Sequence, residues 1–385
     1  MPLSPSALEP LLRLSMVPGV GPLRLAQLLK RFGSAERVLG ASVAELVALP
    51  RFGEGTAAKV VAAAGVEGRE RTAKAMERLG KLGAVAITPD DLAYPDAFRA
   101  LTDAPFLLFV CGRLELLGKP AVGIVGTREP TEYGRRTAQE LAGDLARAGY
   151  GIVSGMAKGI DAAAHAGALA AEGETVGVLG HGIDLVYPRE NARLFAAMRE
   201  RGLLITELAP GEEPRAGNFP RRNRLISALG EGVLVVEMAV KSGAQHTVTY
   251  ALEQGKEVFA VPGPIGSPVS AGTNQLLKEG ARLVTSAADV LEELRGVGRP
   301  APVLSRRAAA SPLPLEPEPR PEAAEPEGLS PEEAQAWAAL GTEPLHVDEV
   351  AAAADLAPGT ALAALLGLEL RGAAETLPGK RYRRC

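Results

Sequence analysis

From residue 122 to residue 261, short apolar and β-branched runs alternate with amphipathic stretches, and few folds accommodate such a pattern. The predicted strands are Val122–Val125, Tyr150–Ser154, Thr175–Leu179, Leu203–Thr206, Val233–Glu237 and Glu257–Val261. The predicted helices are Thr137–Ala148, Ile160–Ala171, Asn191–Arg201, Thr247–Gln254 and one that begins with Asn223–Ala228. Strands that alternate with helices form a parallel sheet covered on both faces, joined by right-handed crossovers. The pattern therefore predicts an α/β fold with a Rossmann-like, doubly wound parallel sheet.

The segments on either side have different compositions. Helical periodicity dominates upstream of residues 65–85, and a stretch that includes PLPLEPEPRPEAAEPE lies downstream of the sheet region. Such a stretch cannot bury enough apolar surface to offset its ordering entropy, so we interpret it as an extended tether. We predict a helical domain at residues 1–70, the Rossmann-like domain at 71–295, a Pro-rich linker at 296–327 and a small domain at 328–385.

Amino-acid composition excludes few classes of function. The 385-residue chain has a formal net charge of −4 and a pI of about 5.8, whereas DNA-binding surfaces are normally basic. A local patch governs contact, however, and a whole-chain sum does not exclude one. Two cysteines and four scattered histidines favour neither a disulfide framework nor a metal site. With no secretory signal and no apolar run of about 18 residues, we expect a cytoplasmic protein without a membrane span.

Glycine-rich and basic motifs follow the predicted strands, where an open α/β sheet binds its ligands. They are GTR (Gly126–Arg128), SGMAKGID (Ser154–Asp161), GHGIDLVYP (Gly180–Pro188), NFPRRNRLIS (Asn218–Ser227), SGAQHT (Ser242–Thr247) and PGPIGSPVSAGTN (Pro262–Asn274). Backbone N–H groups and helix N-termini in such loops attract anions. Full positive charges are added by Arg128, Lys158, Arg221, Arg222 and Arg224. Together these loops predict a phosphate-binding edge, for a nucleotide or for a DNA backbone.

Each motif by itself also fits a tight turn, a helix start or a solvated helix face. No GxxxxGK[ST] and no GxGxxG follows the first strand, so the sequence does not support an ordinary nucleotide-binding loop. Asp161 and His165, four residues apart on a helix, could form an acid–base pair, but we favour a helix-stabilising pair. For His181 and Asp184 we favour backbone hydrogen bonding in a turn over catalysis.

In this order, GTR, SGMAKGID, LGHGID..YP, FPRRNR and VPG…GTN resemble the DNA processing protein A family (DprA, also called Smf) over roughly residues 85–285. The resemblance implies a homodimer that binds single-stranded DNA and catalyses no reaction, without a metal or cofactor. It further implies that the protein protects incoming DNA and loads the RecA recombinase onto it during natural transformation.

The resemblance also assigns roles to residues of the motifs. Arg128 matches the principal phosphate contact, and Phe219 is the candidate for stacking a base. The same pocket would be lined by Gly126, Thr127, Ser154, Gly155 and Lys158. The RRNR element supplies Arg221, Arg222, Asn223 and Arg224. Gln245 and His246 depart from the family pattern, and we assign them no role.

Two rival functions remain open. Phosphoribohydrolases with a PGGxGTxxE motif share a Rossmann-like fold and process nucleotides. Here the nearest text is PGPIGSPVSAGTNQLLKE, in which Pro264 interrupts the glycine pair and the catalytic Glu has no counterpart at the expected spacing. The other rival is an adaptor protein whose phosphate cradle is vestigial.

The N-terminal segment resembles helix-hairpin-helix elements. VPGVGP (Val17–Pro22) precedes the amphipathic stretch Leu23–Phe32, and LPRFGEG (Leu49–Gly55) precedes Thr56–Ala64. In such elements a glycine turn directs helix N–H groups at a phosphate. A purely structural helical module is the favoured alternative.

The C-terminal segment is typical of a small winged-helix fold. Ser330 and Glu333 have the spacing of a helix capping box. We predict helices at Val347–Ala354 and Thr360–Leu366 and a wing hairpin at Gly372–Tyr382. The expected recognition helix, ALAALLGLEL, has no Arg, Lys, Asn or Gln, so we do not expect sequence-specific base contacts. The tail Lys380–Arg384 would contact phosphates non-specifically, or the domain would dock proteins.

Overall fold

The structure is a computed structural model that describes residues 3–50, 52–296, 329–341, 345–371, 373–377 and 381–384. The chain divides into two compact units, Met1–Pro302 and Val303–Cys385. Most of the predicted linker lies outside the described residues; residue 296 is the last residue of a helix. No single helix of the described ranges is long and apolar enough to cross a membrane, and one bent pair, Val347–Ala353 with Pro358–Glu369, meets that test only jointly.

The first unit begins with a helical region. Its helices are α1 Pro5–Ser15, α2 Pro22–Phe32, α3 Ala35–Leu39, α4 Val43–Val47, α5 Glu54–Ala63 and α6 Val66–Leu82. Leu28, Val38 and Val60 are fully buried in a core of this region's own. Helices α1 and α6 belong to a second core, in which Leu12 and Leu79 share a cluster with strand residues of the sheet. A domain boundary between residues 70 and 71 would therefore cut α6, which joins the helical region to the sheet.

A nine-stranded sheet forms the centre of the first unit. The strands are β1 Val85–Ile87, β2 Leu108–Gly112, β3 Ala121–Val125, β4 Gly151–Ser154, β5 Thr175–Val178, β6 Leu203–Thr206, β7 Gly232–Val235, β8 Glu257–Ala260 and β9 Arg282–Leu283. The helices are α7 Asp96–Arg99, α8 Glu132–Arg147, α9 Ile160–Ala170, α10 Ala192–Arg201, α11 Asn218–Leu229, α12 Ala244–Glu253, α13 Ala271–Lys278 and α14 Ala287–Gly296, with short 3₁₀ helices at Leu114–Gly118 and Arg189–Asn191.

The strand order is β1-β2-β6-β5-β4-β3-β7-β8-β9. The strands from β6 to β9 in this order are parallel, whereas β2 pairs antiparallel with β6 and β1 antiparallel with β2. The chain winds outward from β3 to β6 and then returns to place β7 on the other side of β3. This reversal is a topological switch point, and the loops that leave β3 and β7 diverge there.

The sheet confirms the predicted α/β, doubly wound fold, with two differences. Strands β1 and β2 form an antiparallel edge that the alternation of strands and helices did not predict. Helices α8, α11 and α12 also begin earlier than predicted, at Glu132, Asn218 and Ala244. In α11, Pro220 occupies the third helical position, where a missing N–H costs no helical hydrogen bond. The basic motif NFPRRNR therefore lies on a helix and not on a loop.

The described part of the second unit consists of α15 Pro331–Ala339, α16 Val347–Ala353 and α17 Pro358–Leu370 with β10 Leu345–His346, β11 Ala374–Leu377 and β12 Arg381–Arg384. The strands form an antiparallel sheet in the order β10-β12-β11. Trp337, Leu365 and Tyr382 are buried in its core. The predicted capping box is confirmed, since the Ser330 hydroxyl accepts from Glu333 N and the Glu333 carboxylate accepts from Ser330 N.

Candidate functional site

An open cleft of about 600 Å³ lies at the switch point of the sheet. Its walls come from the segments that follow β3, β4, β5, β6 and β7, because the carboxyl ends of these parallel strands meet at one edge. Of the residues predicted for the site, those that line this switch-point cleft are Gly126, Thr127, Arg128, Phe219, Arg222 and Asn223. A neighbouring pocket of about 60 Å³ includes Gly155 and Lys158.

The GTR loop after β3 is fixed by its neighbours on both sides. Thr127 N donates to Glu237 O at 2.7 Å, and Ile160 N at the start of α9 donates to Thr127 O at 3.1 Å. A Cβ at position 126 would lie 2.7 Å from Glu237 O, so only glycine allows this approach of the β3 and β7 loops. The backbone is thus held in place while the Arg128 side chain extends into solvent.

Arg128 lies across an aromatic ring at the mouth of the cleft. Its Cζ is 5.5 Å from the centroid of the Phe219 ring. The Tyr187 ring lies 5.7 Å from Phe219 with an interplanar angle of 31° and is 42 % exposed. Within the described residues Arg128 forms no ion pair. The arrangement therefore presents an uncompensated cation beside two rings, the combination that binds a phosphate together with a base.

Arg222 lies buried at the floor of the cleft. Its Nη1 donates to the carbonyl oxygens of Gly155, at 2.6 Å, and of Val178, so the side chain joins the ends of β4 and β5. Burial lowers the pKa of Arg222 to about 10, and the Asp161 carboxylate partly restores it. Burial likewise raises the pKa of Asp161, and Arg222 opposes that rise. Arg222 therefore contributes a buried positive charge to the floor of the cleft, opposed by the nearby Asp161 carboxylate, and its two backbone bonds hold the ends of β4 and β5 together.

Arg224 points away from the cleft, although it is only two residues further along α11. It is 3 % exposed. Nη1 and Nη2 donate to the two carboxylate oxygens of Glu207 at 3.0 and 2.9 Å, and Nε donates to Asp103 Oδ2 at 2.8 Å. Although burial alone would lower it, these two carboxylates raise the pKa of Arg224. The guanidinium is therefore occupied by the protein and does not reach the cleft.

The other predicted residues also differ in placement. Ser154 is fully buried, and its hydroxyl donates to Ile124 O at 2.6 Å, so it is unavailable to a ligand. Arg221 is exposed outside the cleft and lies 3.5 Å from Glu207 Oε1. Lys158 pairs with Glu190 at 2.5 Å, and this hydrogen bond raises its pKa. Asn223 Nδ2 donates to Gly243 O at 3.3 Å and so joins α11 to the start of α12.

Two predicted anion cradles are already filled by carboxylates of the protein. At the N-terminus of α8, the Glu237 carboxylate accepts from Thr131 N at 2.9 Å and from the Thr131 hydroxyl at 2.5 Å. In the SGMAKG loop that precedes α9, the Asp161 carboxylate accepts from Gly155 N at 3.1 Å and from Ala157 N at 3.3 Å. These internal anions occupy the donors that a phosphate would use in an ordinary nucleotide-binding loop.

The predicted Asp161–His165 pair is not formed. Asp161 instead faces Arg222 and the SGMAKG backbone, as above. The Thr175 hydroxyl donates to Ile152 O at 2.9 Å, so His165 Nδ1 is the donor in its 2.7 Å contact with Thr175. Burial lowers the pKa of His165 to about 3, and the ring is neutral. As expected, His181 and Asp184 bond to backbone, to Gly182 O and Gly211 N.

Sequence reasoning missed several residues of the site. Tyr187 and Lys241 line the cleft, and Glu237 organises its GTR wall. Tyr187 belongs to the GHGIDLVYP motif, of which only His181 and Asp184 were considered individually, and Lys241 directly precedes the SGAQHT motif. A residue such as Glu237 gives no signal of its own, because its role depends on a contact with Thr131, 106 positions away.

Family models match three parts of the chain. The model for DNA recombination-mediator protein A matches residues 85–295, which is more than half of the chain. The model for the DprA winged helix domain matches residues 318–380, and that for the SAM-like helix-hairpin-helix tandem matches residues 11–65. The chain belongs to the DNA processing protein A (DprA/Smf) family.

Curated members of the family align over much of the sequence. Protein Smf of Synechocystis is 34 % identical over 392 residues, covering 96 % of this chain and 97 % of the relative. Protein Smf of Escherichia coli is 47 % identical over 210 residues, which cover 54 % of this chain and 56 % of the relative.

Solved DprA structures have the same fold. The Streptococcus pneumoniae protein superposes with a TM-score of 0.62 at 33 % identity, covering 76 % of this chain and 99 % of that one. The Helicobacter pylori protein superposes with a TM-score of 0.50 at 32 % identity, covering 55 % and 96 %, and its structure was described for its single-stranded DNA binding mode.

Proposed function

We propose that this protein binds single-stranded DNA in the switch-point cleft, with Arg128 contacting a phosphate and Phe219 stacking against a base. The observation that carries the proposal is the Arg128 guanidinium 5.5 Å from the Phe219 ring, without an ion pair within the described residues. A bare cation beside a ring suits a flexible strand, whose bases are unpaired and free to stack. The DNA-binding mode described for the Helicobacter pylori relative supports it.

Within this proposal the motif residues divide into two groups. The proposed path of the DNA strand is lined by Gly126, Thr127, Arg128, Phe219 and Asn223, and Arg222 supports the floor of the cleft. The adjoining pocket contains Gly155 and Lys158. Ser154 and Arg224 act structurally, since protein groups occupy both. Arg221, which is exposed outside the cleft, lies beyond the contacts that we propose.

Family membership supports a wider role. We propose that the protein acts in the cytoplasm as a homodimer without catalytic activity, protects incoming strands during natural transformation and loads RecA onto them. The phosphoribohydrolase alternative has less support, because Glu237 occupies a donor at the α8 N-terminus and Asp161 occupies donors of the loop before α9, where a nucleotide's phosphates would bind.

Fluorescence anisotropy of a labelled oligonucleotide tests the proposal. The native protein should bind single strands more tightly than duplex, and the affinity should fall steeply with salt because phosphate contacts release counterions. Arg128→Ala should weaken binding and lower the slope of log affinity against log salt by about 0.7, the contribution of one single-strand phosphate contact.

Arg136→Ala is the matched control, because Arg136 is a 72 % exposed arginine on α8 that pairs with Glu140 and does not line the cleft. Equal losses of DNA affinity in the two variants would show that Arg128 contributes only general positive charge and no specific phosphate contact. An unchanged affinity in Arg128→Ala, or no binding by the native protein, would refute the proposed site.

A further inference from the structure

The first turn of α12 forms one wall of the switch-point cleft. Ser242, Gly243 and Ala244 all line it. Helix α12 is ten residues long, and its N-terminus carries partial positive charge. Within this turn Gln245 N donates to Ser242 O at 3.1 Å and His246 N donates to Gly243 O at 3.3 Å, so Gly243 N and Ala244 N are the groups without a backbone acceptor. At the N-terminus of α8 the Glu237 carboxylate accepts from Thr131 N, and at that of α9 the Thr127 carbonyl accepts from Ile160 N. The first turn of α12 contains no acidic residue, and its Ala244 N has a 3.3 Å bond to Ser242 Oγ.

A buried hydroxyl one turn further along independently points to a missing partner. Thr247 is 1 % exposed and lines the cleft, and its Oγ1 has no hydrogen-bond partner in the structure. A helical threonine commonly satisfies its hydroxyl on the carbonyl four residues back, as Thr249 does with Gln245 O at 3.1 Å. Thr247 makes no such bond, and a buried donor left without a partner is costly. The site therefore lacks an acceptor.

The charges around this turn favour an anionic acceptor. Lys241, immediately before the turn, and Arg128, on the β3 loop, line the same cleft. The one carboxylate on the cleft floor, Asp161, faces Arg222 and the SGMAKG backbone amides. A phosphate has several acceptor oxygens and a full negative charge, and so can accept both from the N–H groups of Gly243 and Ala244 and from the Thr247 hydroxyl.

We propose that the first turn of α12 and the Thr247 hydroxyl bind one phosphate group of the DNA backbone, as a subsite separate from the Arg128 contact. This inference rests on the proposed single-strand binding. It gives the SGAQHT motif a function: Ser242, Gly243, Ala244 and Thr247 form the subsite, whereas Gln245 and His246 do not line the cleft.

The test uses the full chain and two hydroxyl variants. Thr247→Val keeps the shape and removes the hydroxyl, and Thr247→Ser restores it. Thr249→Val is the matched control, since Thr249 is exposed on the same helix and does not line the cleft. Because Oγ1 of Thr247 bonds to nothing in the protein, Thr247→Val should unfold at no lower denaturant concentration than the native chain.

Inorganic phosphate is the first probe. In a ¹⁵N-labelled chain, phosphate should shift the amide signals of Gly243 and Ala244 saturably in the native protein, in Thr247→Ser and in Thr249→Val. The saturable shift should be lost in Thr247→Val. Absence of any saturable shift at these amides in the native protein would overturn the subsite as an anion site.

Oligonucleotides that carry a single neutral methylphosphonate at successive positions are the second probe. With the native protein, one position should reduce affinity about tenfold, the typical loss of a charge-assisted hydrogen bond. With Thr247→Val, that same position should have no further effect, because the partner is already absent. Additive losses at every position would overturn the proposal even if DNA binding depends on Arg128.

The two proposals can fail separately. Amide shifts with phosphate in a protein that binds no oligonucleotide would retain the anion subsite and refute the single-strand function. Arg128-dependent oligonucleotide binding, with neither phosphate shifts nor coupling to Thr247, would retain the function and refute the subsite.

Discussion

Two arginine-containing regions close together in the first unit use the same side chain in opposite ways. In the switch-point cleft, the Arg128 guanidinium is exposed and lies against a ring. Beside the cleft, Arg224 is buried between Glu207 and Asp103, with four hydrogen bonds to those two residues. An exposed, unpaired charge remains available to a ligand, whereas a buried and paired one fixes the fold. Burial and partners, and not residue type, decide which arginine of a basic motif contacts a ligand.

The largest expected effect tests the structural side of this comparison. Arg224→Ala should lower the free energy of unfolding by about 3–5 kcal/mol, because it leaves the buried Glu207 carboxylate with only the half-exposed Arg221 as a counter-charge. Urea unfolding monitored by circular dichroism measures the loss. Asp103→Ala should cost less, since the Asp103 side chain is 38 % exposed and partly solvated. A loss below about 1 kcal/mol for Arg224→Ala would contradict the structural role.

The next largest expected effect tests the DNA-binding side of this comparison. Phe219→Ala should weaken single-strand affinity by about 1–3 kcal/mol, the usual contribution of a base stacked on an aromatic ring. Phe219→Tyr keeps the ring and should bind nearly as the native protein does. Anisotropy titrations at fixed salt compare the three proteins. Equal losses in the Ala and Tyr variants would show that the side chain matters for packing against Tyr187 and not for stacking a base.

Arg222 is buried like Arg224 but lines the cleft like Arg128. The effect of its replacement on stability should depend on pH. In Arg222→Met, Asp161 loses its counter-charge, so its pKa, already raised by burial, should rise further. An acid whose pKa is higher in the folded state than in the unfolded state loses stability as the pH rises through the folded value. The stability deficit of the variant should therefore be larger at pH 8 than at pH 5, by about 1.4 kcal/mol for each unit of additional rise within that window.

Urea midpoints at the two pH values measure this deficit. Folded His165 stays neutral across the window, because its pKa is about 3, so its unfolded-state titration affects both proteins alike. Adding Asp161→Asn removes the carboxyl, and the pH dependence of the Arg222→Met deficit should then disappear. A deficit equal at pH 5 and pH 8 would mean that Arg222 acts through its bonds to Gly155 and Val178 alone.

The sequence predicted the sheet well, because its strands are buried on both faces and appear as short continuous apolar runs. Strand β6 lies at the predicted Leu203–Thr206, and α9 at Ile160–Ala170 differs from its prediction by one residue. The antiparallel edge strands β1 and β2 were not predicted, since only the four-residue helix α7 lies between them and no amphipathic crossover helix marks them as strands. The starts of α8, α11 and α12 were not predicted, because the first turns of α8 and α11 contain Gly134 and Pro220 and because Ser242 and Gly243 directly precede α12, so these segments were interpreted as loops.

The site was predicted to the level of its loops but not of its side chains. Motif order placed Arg128 and Phe219 correctly at one edge, because parallel strands bring their carboxyl ends together. A motif cannot show which way each residue of a helix points. Successive positions on α11 differ by about 100°, so Arg222 and Arg224 diverge to the cleft floor and to Glu207. The contacts of the internal carboxylates, of Glu237 at the α8 N-terminus and of Asp161 with the loop before α9, could not be predicted either. Glu237 is distant from Thr131 in the sequence, and only the folded chain brings the two residues together.

The smallest expected effect concerns Arg221, which shares a feature with each region. Its side chain is 47 % exposed, like that of a ligand-binding arginine, yet it lies 3.5 Å from Glu207, the partner of Arg224. A half-exposed ion pair contributes about 0–1 kcal/mol, and Arg224 continues to neutralise Glu207 without it. Arg221→Ala should therefore change neither the unfolding midpoint nor single-strand affinity appreciably when both are measured beside Arg128→Ala. A loss of affinity as large as that of Arg128→Ala would extend the DNA path beyond the cleft and onto the exposed face of α11. A loss of stability comparable to that of Arg224→Ala would instead place Arg221 within the buried ion cluster, and exposure would no longer distinguish the two kinds of arginine.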